Sequence, residues 1–199
     1  KDFNNWEDLV VSILKNEDYD WNFKYLSTLT SINWCDNILK IRSEEWDWDY
    51  LSENSKCFSY NSKRPKELIK HIEKFDEWLN FALLSKRKDV RLDIEKISAH
   101  LSYPWDWNAI SHNKSFALTA EFVMEHKDFD WDWNALSYRN DCIFTAEFIK
   151  DNKDKEWNWA FLSKRKEIVL NTDTLIALVT KEWDWNELIR RKDIEFTPD

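Results

Sequence analysis

The side chains of this chain whose type and spacing could do chemistry fall in columns. A serine recurs at Ser27, Ser52, Ser85, Ser111, Ser137 and Ser163. From Ser85 onward the step is a constant 26 residues, ending on Ile189. Two residues after it stand Arg87, Arg139, Arg165 and Arg191, with Asn54 and Asn113 interrupting the series; three residues after it stand Lys88, Lys114, Lys166 and Lys192. Stacked in register, these cations would form a ladder along one edge able to track nucleic-acid phosphates, with steep salt dependence. The competing reading is local. The cations close a short helix, where positive charge complements the dipole, and Asp89, Asp141, Glu167 and Asp193 follow to neutralise them. A formal net charge of −9 favours the local reading and leaves the ladder as the alternative.

A second set of columns precedes the serine. The segments WNFKYLS (21–27), WDWDYLS (46–52), LNFALLS (79–85), WDWNAIS (105–111), WDWNALS (131–137), WNWAFLS (157–163) and WDWNELI (183–189) place aromatic residues around an Asn or Asp. Paired indoles could stack on sugars or bases. The favoured alternative is architectural: Asn and Asp are the best N-caps, and a hydrophobic N′ residue packs on N4 as a staple. On that reading Asp106, Asp132, Asn158 and Asp184 cap helices. Trp105, Trp131, Trp157 and Trp183 are then staples at N′, and Trp107, Trp133, Trp159 and Trp185 occupy N1.

Other constellations are poor. His71, His100, His112 and His126 form no ligand spacing with Cys35, Cys57 and Cys142, so no metal site is predicted. Only Ser111, followed by His112, has a histidine beside it, and a small residue allowing close helix contact explains the recurring serine better than a nucleophile. No enzymatic activity and no cofactor are expected. The segment ENSKCFSYNSKRP (53–65), which breaks the period, is the other candidate: Lys56, Phe58, Tyr60, Lys63 and Arg64 on an inserted loop could carry recognition. A tolerated insertion is the equal alternative.

The elements that must position these columns are short helices. Eight residues after the serine stand Asp93, Thr119, Thr145, Asn171 and Thr197, each preceded by an apolar residue. Each unit is therefore a helix pair, an A helix from the Trp-Asp/Asn-Trp cap and a B helix from the second cap. The segment 4–16 reads as a B helix capped by Asn5. Glycine is absent altogether, which disfavours every fold that depends on glycine turns or phosphate-binding loops. The expected fold is all-α, an α-solenoid of about seven 26-residue helix-pair repeats in one array spanning 1–199. Phe196, Thr197 and Pro198 look like the start of a further helix, so the array is expected to be part of a longer one. Three unpaired-looking cysteines and no long apolar run suggest a reduced, cytoplasmic protein without a membrane partner.

The pattern WDWxxLS, a turn, then TxEFIxxN, as carried by residues 131–163, resembles a tandem helical-repeat family found in giant-virus and some bacterial proteins. The usual loop of that family reads LSxNPNIT, and Arg139 stands where it has Asn. The resemblance covers nearly the whole chain. It implies a helical repeat scaffold and no particular activity. The functional expectation is a non-catalytic scaffold that binds a protein or peptide as a recognition or sensor part, with phosphate-backbone binding along the Arg/Lys ladder as the alternative.

Overall fold

The structure is a computed structural model that describes residues 6–29, 36–54, 56–58 and 67–194, with Cys57 and Glu67 described by backbone alone. Among these residues the fold is all-α, with fourteen α-helices, two 3-10 turns and no strand. One isolated parallel bridge joins Leu92 to Phe116.

The chain divides into two compact units, residues 1–91 with 99–105 and residues 92–98 with 106–199. The first unit carries α1 (Trp6–Leu14), α2 (Phe23–Ser27), α3 (Asp36–Leu39), α4 (Trp48–Asn54), α5 (Glu67–Lys74) and α6 (Phe81–Lys86). The second carries α7 (Ile94–Ser98), α8 (Trp107–His112), α9 (Ala120–Glu125), α10 (Trp133–Ser137), α11 (Ala146–Asp151), α12 (Trp159–Leu162), α13 (Thr172–Ala177) and α14 (Trp185–Arg190). Packing follows the repeat. In the first unit α2 packs on α4 and α4 on α6, while α1 packs on α3; in the second α8 packs on α10 and α11 on α13.

Helices of four to nine residues are too short to be stable alone, because nucleation costs more than a few hydrogen bonds return. Two devices compensate. The first is capping at the N-terminus. Asn22, Asp47, Asn80, Asp106, Asp132, Asn158 and Asp184 each accept the N–H of the residue three positions on, at 2.8–3.2 Å. Asp93, Thr119, Thr145 and Asn171 cap the B helices in the same way. Asn5 and Thr197 lie outside the described residues.

The second device closes the C-termini, where glycine would ordinarily turn the chain through the left-handed region. Among the described residues only Arg42 has positive φ. The indole N–H of the next Trp takes over that role. Trp131 donates to the His126 carbonyl (2.8 Å), Trp157 to Asn152 (2.9 Å) and Trp183 to Leu178 (3.0 Å). Those three residues are the C-caps of α9, α11 and α13. Trp46 and Trp105 bond the carbonyls of Ile41 and His100 in the same i−5 relation.

The core is a stack of rings. Trp107 meets Trp131 at 5.0 Å, Trp133 meets Trp157 at 4.8 Å and Trp159 meets Trp183 at 5.0 Å between ring centroids. One face of the rings of Trp107, Trp133 and Trp159 is covered from the following repeat, whereas the Trp185 ring stays 39% exposed. Phe129 stacks on Trp107 at 4.7 Å, while the ammonium groups of Lys155 and Lys181 lie 5.4 and 5.7 Å from the ring centroids of Trp133 and Trp159. These indole faces are therefore already occupied, which leaves no open aromatic platform for a sugar along Trp107, Trp133 and Trp159.

Candidate recognition surface

The arginines of the ladder are buried, which overturns the alternative of a cationic edge for these four residues and agrees with the favoured local pairing to the acidic column. Arg87, Arg139, Arg165 and Arg191 retain at most 8% of their surface, and Arg139 only 1%. Each guanidinium reaches back to the preceding repeat. Arg139 Nη1 donates to the carbonyls of Ile110 (3.0 Å) and Asn113 (3.2 Å), and Nη2 to Phe116 (2.6 Å). Arg165 Nη1 reaches Ser137, Arg139 and Cys142, Arg191 reaches Arg165 and Ile168, and Arg87 Nη1 reaches Ser52.

The acidic residue two positions on completes the clamp, bidentate in Arg87–Asp89, Arg139–Asp141 and Arg191–Asp193. Glu167 stands 3.9 Å from Arg165. A planar fork of five donors suits this task, since the carbonyls at the end of an A helix would otherwise lack partners. Burial raises the Asp141 carboxyl, but the Arg139 guanidinium and the Leu118 and Asp141 N–H groups outweigh it and hold it below the usual carboxylate range. Asp193 is lowered chiefly by its hydrogen bonds to Arg191. The thiol of Cys142, beneath this clamp, is pushed up to about 12 by burial and by Asp141, so it is no nucleophile at neutral pH.

The lysines fare differently. Lys88, Lys114, Lys166 and Lys192 are exposed, so only this half of the ladder faces solvent. In the inserted segment Phe58 is fully buried against the core and so is no recognition residue, whereas Lys56 is exposed. Tyr60, Lys63 and Arg64 lie outside the described residues.

The serine column joins repeats and is more than a space-saving position. Ser27, Ser111, Ser137 and Ser163 donate their hydroxyl protons to the carbonyl four residues back and accept the backbone N–H of the next repeat's cap residue. These acceptor distances run from 2.9 to 3.1 Å, from Asp47, Asp132, Asn158 and Asp184. Ser52 accepts Asn80 N–H likewise at 2.9 Å. In a capping box a Glu or Gln of the same helix takes that N–H; here the neighbouring repeat supplies the acceptor. A constant small polar residue, 21 residues upstream of the cap in the regular repeats, was the only sequence signal for it.

With the constant columns turned inward, the outer face of the A helices is made of positions that differ between repeats. The residue after the serine is Thr28, Glu53, Lys86, His112, Tyr138 or Lys164, and Arg190 follows Ile189 in the last repeat. At two of these positions it meets the next cap, whereas Thr28 and Arg190 bond Tyr25 and Glu187 of their own helix. His112 Nε2 lies 2.7 Å from Asp132 Oδ2, and Tyr138 Oη accepts Asn158 Nδ2 at 2.6 Å. Between α8 and α10 these residues border a groove of about 290 Å³ lined by Ser111, His112, Lys114, Asn134, Ala135, Tyr138 and Arg139. A second groove of about 370 Å³ lies along α11 and α13, with apolar Ile143 and Val169 and charged Glu147, Lys150 and Glu167.

Among the described residues no cluster of His, Cys, Asp and Glu could hold a metal ion, and no helix is long and apolar enough to cross a membrane. Comparison with family models, with curated proteins and with solved structures finds no match to this chain.

Proposed function

We propose that the chain is an α-solenoid of helix-pair repeats, a non-catalytic scaffold that recognises a protein or peptide through the outer face of its A helices. The observation that carries this reading is the division of labour between columns. The constant Trp, Asn/Asp, Ser and Arg side chains bond the backbone of their own or the adjoining repeat. The residue after the serine, by contrast, varies from threonine to tyrosine to lysine. An array whose invariant positions stack the repeats and whose variable positions face out presents a surface rather than a pocket for chemistry. The 26-residue period and the A-on-A and B-on-B packing support the solenoid. Selection of peptides from a random display library on the immobilised chain tests it. A recurring sequence whose binding falls in Tyr138→Ala and His112→Ala chains of unchanged helicity is the expected result. A selection that converges on nothing overturns it.

The phosphate-backbone reading keeps Lys88, Lys114, Lys166 and Lys192 but loses the arginine half of its ladder to the interior. A salt titration against single- and double-stranded DNA and RNA separates the two. No retention at low salt ends the nucleic-acid reading.

A further inference from the structure

The groove between α8 and α10 is a donor-lined slot in a chain of net charge −9. Its acceptors are already engaged. Ser111 Oγ donates to the Trp107 carbonyl and accepts Asp132 N–H. The Asp132 carboxylate beside the groove accepts Ala135 N–H with Oδ1 and meets His112 with Oδ2. Asn134 uses its carbonyl oxygen on Asn158 Nδ2, which leaves its amide group as a donor. Tyr138 Oη accepts from the same Asn158 amide, which leaves its own proton to give. Lys114 sits exposed on the rim with its ammonium group. Arg139 underlies the groove with its donors bonded to carbonyls and to Asp141.

The walls are also held in place before any ligand arrives. The Tyr138 ring packs on Phe161 at 4.3 Å between centroids, and its hydroxyl is fixed by Asn158. Yet 44% of the Tyr138 surface remains open, as does 61% of the His112 side chain. Prepositioned donors lower the ordering cost of binding. A volume of about 290 Å³ stands at the lower limit of the roughly 300–1,000 Å³ of small-molecule sites and has room for a side chain or two.

We infer that this groove takes a carboxylate side chain of an acidic peptide segment, with Lys114, Asn134 and Tyr138 donating to it. The inference rests on the scaffold reading above and names the partner chemistry of one of its surfaces. Charge complementarity selects the occupant, because the Lys114 ammonium and the free donors of Asn134 and Tyr138 admit Asp or Glu, whereas Lys114 repels a lysine or arginine.

The test is fluorescence anisotropy of the intact chain with labelled oligoglutamate, oligolysine and single-stranded DNA. Oligoglutamate is expected to bind and to weaken roughly ten-fold in Lys114→Glu. It is expected to weaken about three-fold or more in Tyr138→Phe, which keeps the ring and removes the hydroxyl. Lys88→Glu, an exposed lysine outside the lining of this groove, is the control for net charge, and thermal melts verify that each variant folds. Oligoglutamate binding that is absent, or that Lys114→Glu and Lys88→Glu weaken alike, overturns the inference. DNA binding lost on Lys114→Glu overturns it in favour of phosphate. A library consensus that lacks acidic residues removes this inference and leaves the scaffold standing, whereas a selection without any consensus removes both.

Discussion

Ser137 and Asn158 are joined across two repeats. The Asn158 backbone N–H donates to Ser137 Oγ at 3.0 Å, while that hydroxyl donates to the Trp133 carbonyl at 2.8 Å. One buried oxygen thus ties the last turn of α10 to the cap that starts α12, and the same arrangement recurs at Ser111 with Asp132 and at Ser163 with Asp184.

Removing that oxygen strands a donor. Ser137→Ala leaves the Asn158 N–H without an acceptor in a site where the serine is wholly buried. The expected loss is about 1–3 kcal/mol, the cost of an unmet buried polar group. Thermal or urea unfolding reads it. Ser137→Ala that melts with the parent chain would mean that the relay contributes nothing.

The arginine clamp makes a sharper prediction. Arg139→Lys keeps the charge but cannot reproduce a fork that serves Asp141 and four carbonyls at once. A loss of about 3 kcal/mol is expected, close to that of Arg139→Met, because geometry rather than charge is what the site uses. Urea midpoints at matched slopes measure it. If the column were a solvent-facing ladder, Arg139→Lys would leave stability unchanged.

Acid should loosen the same clamp. Asp141 is held below its ordinary 3.8 in the folded chain, so the unfolded state binds protons first as the pH falls. Its contribution is full above 3.8 and disappears as the pH drops through the lower folded value. Asp141→Asn is therefore expected to melt lower than the parent at neutral pH, with the gap closing below about pH 4. A gap that stays constant down to the acid limit would show that the carboxylate charge is irrelevant.

Much of this was legible beforehand, for identifiable reasons. Caps are chosen by local chemistry, so Asp132 and Thr145 declare their helices within a few residues of sequence. The Arg and Ser columns misled in different ways because their partners lie about one period away. Arg139 reaches Phe116 and Ile110, and Ser137 serves Asn158. A period reveals that a position repeats without revealing whether it faces solvent or the neighbouring unit. Phe58 shows the same limit: a polar, aperiodic segment suggested a loop, yet its one large apolar residue is fully buried.

Trp131 and Trp133 belong to one triplet and retain the same 5% of their surface, yet they serve the fold in different ways. The Trp131 indole N–H bonds the C-cap carbonyl of α9 at His126. Trp133 contributes its ring, set against Phe144, Phe148 and Trp157 beneath the Lys155 ammonium. Exchange for phenylalanine removes similar volume from both sites, so the packing loss nearly cancels in the comparison. What remains is the hydrogen bond. Trp131→Phe is expected to cost about 1 kcal/mol more than Trp133→Phe, since only the former leaves a helix-terminal carbonyl unserved. Trp21 supplies the third point, because its buried indole nitrogen has no hydrogen-bond partner among the described residues. Trp21→Phe should therefore be the mildest of the three in urea unfolding. An order with Trp133→Phe or Trp21→Phe costlier than Trp131→Phe would mean that ring packing, and not the indole N–H, is what the first tryptophan of each triplet provides.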